Sequence, residues 1–445
     1  MTATLEPRLQ GRRVIDPAVR RRFHASMRND FLTPRGTPYK WHEMTATLHR
    51  TILGGGVPTV VPVRYEWERV SARTGDPKTA TEPREWTFAR GQGFTSMLLH
   101  ADAGPEHAVG PGGDSPVTLD VSYPALPKSP AVDLLLMLSW DVVTFEMMCT
   151  HLITTAGLRE VGGRAELERI SGSWAELQFS DPGATAVFRN AHISAEHLGT
   201  GRFAGRESSV YQTRCLDCVL DVKSGPVRQR GRSSYWVTLQ VDTLTGDLLC
   251  AEMTEMIVAT LIGPDGGKVP VQKRRTVRMW ADEGDEPAPV SIAAAAVSAD
   301  PALLAEAVTL TERVADYLTW QIRSLGHLPA GMADLALMGF RSVVGTDLAG
   351  AGEQVGNLLA ALRAGAAGEP GAAALPEYRR LLEGLLAFGQ IAVDGQTRLL
   401  VPDEASRVAT RDRLGSVGDD LTALLARLEQ LERPDRPGSD CEAMP

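Results

Sequence analysis

Cysteine is scarce, five in 445 residues with one in the polar tail RPDRPGSDCEAMP. No disulfide framework holds such a chain, and its thiols suit a reducing compartment. The first 26 residues, MTATLEPRLQGRRVIDPAVRRRFHAS, lack the apolar core of a secretory signal and carry arginines throughout. A cytoplasmic protein is expected. Lysine is absent from residue 281 onward, where 13 arginines face 25 acidic residues for a net charge of −12, against +3 for residues 1–280. An acidic surface repels phosphate backbones, so no nucleic-acid partner is expected there. Long uncharged apolar runs are also missing. The longest candidate, VDLLLMLSWDVVTFEMMCTHLITT (132–155), is interrupted by Asp141, Glu146 and His151, so no membrane span is expected. It reads instead as a buried amphipathic helix, with Leu135, Leu138, Val142, Phe145, Cys149 and Leu152 as its stripe and Ser139, Glu146 and Thr150 facing away.

The common chemical motifs are absent too. HExxH, Walker A and G-x-S-x-G do not occur, and the glycine clusters at 54–56, 91–93 and 199–201 lie beside strand candidates rather than opening helices. No cofactor is expected. His42 and His49 are two helical turns apart, and His192 and His197 diverge in either regular structure. Cys215-x-x-Cys218 has no second half-site of cysteines or histidines, and in a regular strand positions i and i+3 point to opposite faces. The expectation is therefore no metal, with Cys218 in the core and Cys215 more exposed.

What is present is a change of pattern along a chain whose 43% hydrophobic and 23% charged content is ordinary for a folded protein. Residues 1–54 read as a basic arm with a short helix near DPAVRRRFHASM, capped by Asp16 and started by Pro17. Residues 55–280 read as β-rich. In TVVPVRYEWERV (59–70), Val61, Val63, Tyr65 and Trp67 alternate with polar residues, and eight further strand candidates follow, joined in places by turns such as DTLTGD. The expected fold class is α+β: an antiparallel curved sheet or partial barrel wrapped around the 132–155 helix, then a mainly helical C-terminal domain. The lysine and arginines of VQKRRTVRMW suit a sheet edge. An acidic, Pro- and Ala-rich linker occupies 281–300, helices occupy 301–432, and 433–445 is a disordered tail.

Within LPEYRRLLEGLLAFGQIAVDGQTRLLVP (375–402), a leucine-rich helix runs into Ile391-Ala-Val393, an Asp394-Gly395 turn and Leu399-Leu400-Val401. Helix plus two-strand wing resembles the second half of a winged helix-turn-helix over about 28 residues. That resemblance implies DNA binding by residues 330–432, which the −12 charge disfavours. In 403–432, Leu414, Val417, Leu421, Leu424, Leu428 and Leu431 recur at heptad spacing, as a core stripe of their own domain or as the seam of a homodimer or protein partner.

The candidates for chemistry are polar residues set in apolar surroundings: His100, Asp141 and Glu252 as acid–base groups. Tyr65, Trp67, Trp140 and Trp236 are candidate ligand contacts. The leading expectation is a small-molecule-binding or accessory protein with an apolar cup in its β-rich part and a protein-interaction helical domain. The alternative is a cofactor-independent isomerase, cyclase or hydrolase using acid and base residues in the same cup.

Overall fold

A computed structural model describes residues 20–53, 60–88, 91–99, 120–122, 130–168, 170–178, 183–283, 295–296, 301–326, 328–367, 372–373, 375–391 and 404–432. The chain divides into two compact units, residues 1–292 and 293–445, with the boundary inside the expected linker.

Among the described residues the first unit is an open antiparallel sheet of fourteen strands. Its first half comprises β1 (Arg20–Leu32), β2 (Pro38–Ile52), β3 (Val60–Gly75), β4 (Arg84–Thr87), β5 (Gly93–Leu99) and β6 (Asp120–Ser122). Helix α1 (Pro130–Thr154) follows, and then β7 (Arg164–Glu166), β8 (Trp174–Gln178), β9 (Thr185–Arg189) and β10 (Ile193–Phe203). Four long strands complete the unit: β11 (Arg206–Ser224), β12 (Val227–Asp242), β13 (Leu248–Ile262) and β14 (Lys268–Ala281). The order across the sheet is β6-β5-β3-β2-β1-β14-β13-β12-β11-β10-β7, with β4 on β3, β9 on β11 and β8 on β9. Two meanders thus join where β1 pairs with β14. The two ends of the main path are the three-residue strands β6 and β7.

Three expectations need correction. Residues 20–52 are two internal strands rather than an arm with a short helix. Phe23, Ala25, Met27 and Asn29 are buried in alternation with half-buried arginines and histidine, and that period of two outweighs the Asp16-Pro17 capping signal, which lies outside the described residues. The basic strand β14 lies between β13 and β1 and is no edge. The face of the 130–154 helix expected to point away from the core is buried, at Ser139, Glu146 and Thr150, and the half-exposed stripe is instead Asp133, Met137, Trp140, Thr144 and Met147.

Odd-numbered residues of β1, β12, β13 and β14, such as Met27, Val237, Met253 and Val277, share one core with the stripe of α1. Two buried arginines also tie the helix to the sheet. Arg50 of β2 reaches Glu146 at 2.7 Å and Asp247 at 3.1 Å, and Arg275 of β14 reaches Asp141 at 2.8 Å. The two anchors are five residues apart on α1, about 7.5 Å along its axis, so they fix its position and its rotation together. The opposite sheet face carries a smaller apolar cluster around Leu32, Trp236 and Met256, while a further cluster around Leu220 and Ile257 continues the α1 side of the sheet beyond the core, next to Phe188.

The second unit is helical: α2 (Pro301–Leu325), α3 (Ala330–Val344), α4 (Leu348–Ala366), α5 (Leu375–Ile391) and α6 (Glu404–Glu432). The Asp347 carboxylate caps α4 by accepting the Gly350 N–H at 2.7 Å. Leu414, Leu421, Leu424, Leu428 and Leu431 of α6 are buried against Leu310, Val314, Leu382 and their neighbours. The heptad leucines are therefore core residues of their own unit, not an open dimer seam. The wing expected at 392–401 lies outside the described residues.

Candidate functional site

Where α1 crosses β12, β13 and β14, the sheet presents a cross-strand row in which direct neighbours are Asn29, Arg275, Glu255, Tyr235, Cys215 and Ile193. Directly opposed residues share a face, so a regular register places these side chains side by side. On one side of the row this face is apolar, with Ala251 and Met253 before Glu255 and Val277 and Met279 after Arg275, and on the other it continues into Ser233 and into Lys273, which donates to Gln229 at 3.0 Å. Charge in such a setting must be paired. Arg275 donates through Nε to Glu255 at 2.6 Å and through Nη1 to Asp141 at 2.8 Å. The Ser233 hydroxyl donates to the other oxygen of Glu255.

This cluster stands against a pocket of about 120 Å³, partly open to solvent. Its walls include Met137, Trp140, Met147, Trp174, Phe188 and Met253, while Asp141, Arg275, Glu255, Ser233, Asn190 and Tyr235 supply polar atoms. The Tyr235 hydroxyl donates to Asn190 Oδ1 at 3.0 Å, and Asn190 Nδ2 donates to Ser173 Oγ at 2.9 Å. A polar chain thus runs along one side of an otherwise apolar cavity.

Burial decides the electrostatics. Desolvation pushes the Asp141 carboxyl from 3.8 up to about 7; the Arg275 cation pulls the other way and the Glu255 charge adds to the rise. At neutral pH Asp141 therefore exchanges a proton inside the pocket. Burial also works against the charge on Arg275, but Asp141 and Glu255 more than offset it and hold the guanidinium above its ordinary value. Desolvation raises the Tyr235 phenol well above its usual value, so this hydroxyl remains a donor.

Cys215 and Cys218 depart furthest from regular strand geometry. Cys215 opposes Tyr235 and Cys218 opposes Ser233, a step of three residues on β11 against two on β12. The extra residue is a β-bulge, with Asp217 in the left-handed region at φ +62°. The bulge turns both thiols to the same face, where both are buried and their Sγ atoms are 3.2 Å apart. The expectation of opposite faces, with Cys215 exposed, is overturned by that one residue.

Of the expected acid–base residues, only Asp141 lines the pocket. Glu252 projects from the other parity of β13 and faces Arg278 at 3.6 Å, and His100 lies outside the described residues. Among the expected ligand contacts, Trp140 lines the pocket. Tyr65 and Trp67 are core residues around Phe94, with ring centroids 4.7 and 5.7 Å from it. Trp236 lies on the opposite face with Leu32 and Met256. Arg275 and Tyr235 were missing from the expected set. The signal for Arg275 was in the sequence: a lone arginine on the apolar parity of β14, with Glu255 in the same situation on β13.

Among the described residues no cluster of three or more His, Cys, Asp or Glu is arranged to hold a metal ion, and no helix is long and apolar enough to cross a membrane. No protein-family model and no curated protein matches the sequence. Solved structures with some likeness include one on lipid–protein interactions in lipovitellin, at 10% identity and a TM-score of 0.28, covering 96% of this chain. This chain covers 51% of the lipovitellin chain, about half its length. A Bacteroides fragilis protein with a YmcC-like fold, at 6% identity and a TM-score of 0.14, matches over 58% of this chain and 93% of its own. At these TM-scores neither likeness bears on function.

Proposed function

We propose that this is a cytoplasmic small-molecule-binding protein whose pocket beside α1 takes a compact ligand with an apolar body and one polar end. The supporting observation is the pocket: a cavity of about 120 Å³ with methionine and tryptophan walls and a polar side built from Asp141, Arg275 and Glu255. Apolar cavities of ~150 Å³ take up benzene, so this somewhat smaller volume suits a ligand of at most about one ring, with any substituent reaching through the open side of the pocket. Unbranched methionines adjust to irregular shapes. The polar end of the ligand would face Asp141, which near neutral pH either donates or accepts a hydrogen bond.

A second reading rests on the same residue. A carboxyl at about 7 inside an apolar pocket suits general acid–base catalysis, as in a cofactor-independent isomerase, cyclase or hydrolase. Asp141→Asn separates the two: it abolishes turnover in an enzyme and only changes affinity in a binding protein.

Native mass spectrometry of the purified protein, followed by calorimetric titration with single-ring phenols, ketones and carboxylates, tests the proposal. The expected result is a retained molecule or saturable one-to-one binding that Ala175→Phe, which fills the pocket, removes. No retained molecule and no saturable binding across the panel would overturn it.

A further inference from the structure

We infer that Cys215 and Cys218 are a reversible dithiol–disulfide site, oxidised by small peroxides that arrive through the pocket. The inference stands on the geometry of β11 and is independent of any ligand proposed for the pocket. A disulfide needs both sulphurs on one side of the backbone and a final separation of about 2.05 Å. The bulge supplies the first condition, and from 3.2 Å the remaining approach is about 1 Å, within reach of small side-chain rotations. Asp217, at φ +62°, holds the left-handed conformation that the step between the cysteines requires and that aspartate tolerates. The bulge falls where β11 changes partner: residues up to Cys215 pair with β10, and Val219 onward pairs with β9. On that side a local adjustment breaks no continuous ladder, and on the β12 side it falls at the register shift between Cys215 and Cys218.

Reactivity and access complement each other. The Cys218 thiol, hydrogen-bonded to Cys215, holds Cys215 below the ordinary thiol value against burial, and Tyr235 acts in the same sense. Cys218 retains its proton more firmly because of that same contact and burial. Cys218 is also the sulphur that lines the pocket. The proton between the two sulphurs therefore favours Cys218 at rest, and attack at the pocket proceeds through the minor form in which it has passed across the 3.2 Å contact to Cys215.

The chemistry balances with hydrogen peroxide as oxidant. The Cys218 thiolate attacks one peroxide oxygen, the O–O bond breaks and the other oxygen leaves as hydroxide, which takes up a proton from solvent to become water, giving Cys218 sulfenic acid. The Cys215 sulphur then attacks Cys218, the S–O bond breaks, and the hydroxyl leaves as a second water with the Cys215 proton. Each sulphur loses one electron, and both peroxide oxygens are reduced to water. A thiol reductant reverses the state by exchange.

The pair has internal controls. Cys149 donates its thiol to the Gly246 carbonyl at 3.5 Å, and both Cys149 and Cys250 are buried and absent from the pocket lining, so peroxide entering the pocket does not meet them. Arg214 and Lys223 flank the pair, and trypsin releases residues 215–223 as one peptide. The experiment treats full-length protein carrying Cys441→Ser with a few equivalents of hydrogen peroxide, blocks the remaining thiols and digests without reduction. The expected product is the 215–223 peptide lighter by two hydrogens and unblocked, restored by dithiothreitol, with Cys149 and Cys250 recovered as blocked thiols. In folded Cys215→Ser protein, Cys218 stops at a sulfenic acid that dimedone traps. Two outcomes overturn the inference: both cysteines of the pair recovered as thiols in native protein, or Cys218 taken to sulfinic acid beside an unreacted Cys215. Disulfide formation only in urea also overturns it, because the folded bulge would then play no part.

Discussion

Replacing Asp141 with asparagine should change how stability depends on pH. A carboxyl with a pKa of about 7 in the folded protein and 3.8 in the unfolded chain is protonated in the folded state and ionised in the unfolded state between those values. The folded state binds more protons there, so this group's contribution to stability is highest below pH 4 and falls as pH rises to 7. At ~1.4 kcal/mol for each pH unit across that window, wild type loses about 4 kcal/mol relative to an uncharged residue at the same place. Asparagine keeps the shape and removes the titration. The wild-type-minus-variant difference should therefore move against wild type by about that amount between pH 4 and pH 8, while the other titrating groups cancel. Seven of the eight tryptophans lie in the first unit, so tryptophan emission during urea unfolding of both proteins follows that unit. A flat difference across the range would refute the assignment. A wild type that gains on the variant with rising pH would show Asp141 fully ionised and the Arg275 pair dominant.

The second anchor of α1 gives a larger expected loss at neutral pH. Arg50→Met leaves Glu146 and Asp247 without their shared cation and should cost about 3–5 kcal/mol, read as a lower urea midpoint. At the bulge, Asp217→Gly should leave stability unchanged because glycine accepts φ +62°, whereas Asp217→Val should cost about 1–2 kcal/mol. Thermal melts distinguish the two. A Cβ on Gly231 of β12 would sit 2.2 Å from the Val258 carbonyl oxygen. Gly231→Ala should therefore force β12 and β13 apart locally and cost about 1–3 kcal/mol, with faster amide exchange along that pair.

Much of the fold was legible because burial writes its period directly into strands and helices. The alternation of Val63, Tyr65 and Trp67, the 130–154 helix and the α6 leucines all appear where the pattern placed them. The pocket was legible only in fragments. Asp141 and Trp140 stood out as polar and aromatic residues in an apolar helix, but Arg275 looked like protection for an edge, because β14 becomes central only through its long-range pairing with β1. Tyr65 and Trp67 have the composition of ligand contacts and the location of core residues. Which of the two they are depends on Phe94 packing onto them from the neighbouring strand. The Cys-x-x-Cys pair was misread for the smallest reason: one extra residue in a ladder reverses the face of everything beyond it, and nothing in RCLDCV announces a left-handed aspartate.

The pairing of β1 with β14 also constrains how the first unit assembles. Each meander is built from neighbours in sequence and can begin to form locally, but the seam between them joins Phe23 to Ala281 and Leu32 to Gln272. Closing a loop of that length incurs its entropic cost before any contact offsets it. Until residues near 281 have been synthesised, β1 and β2 present an unpaired, largely apolar flank in the middle of the future sheet. The first unit should therefore depend on shielding of that flank until β14 has been made, and a destabilising change in β1 should reduce folding yield more than the stability of protein already folded.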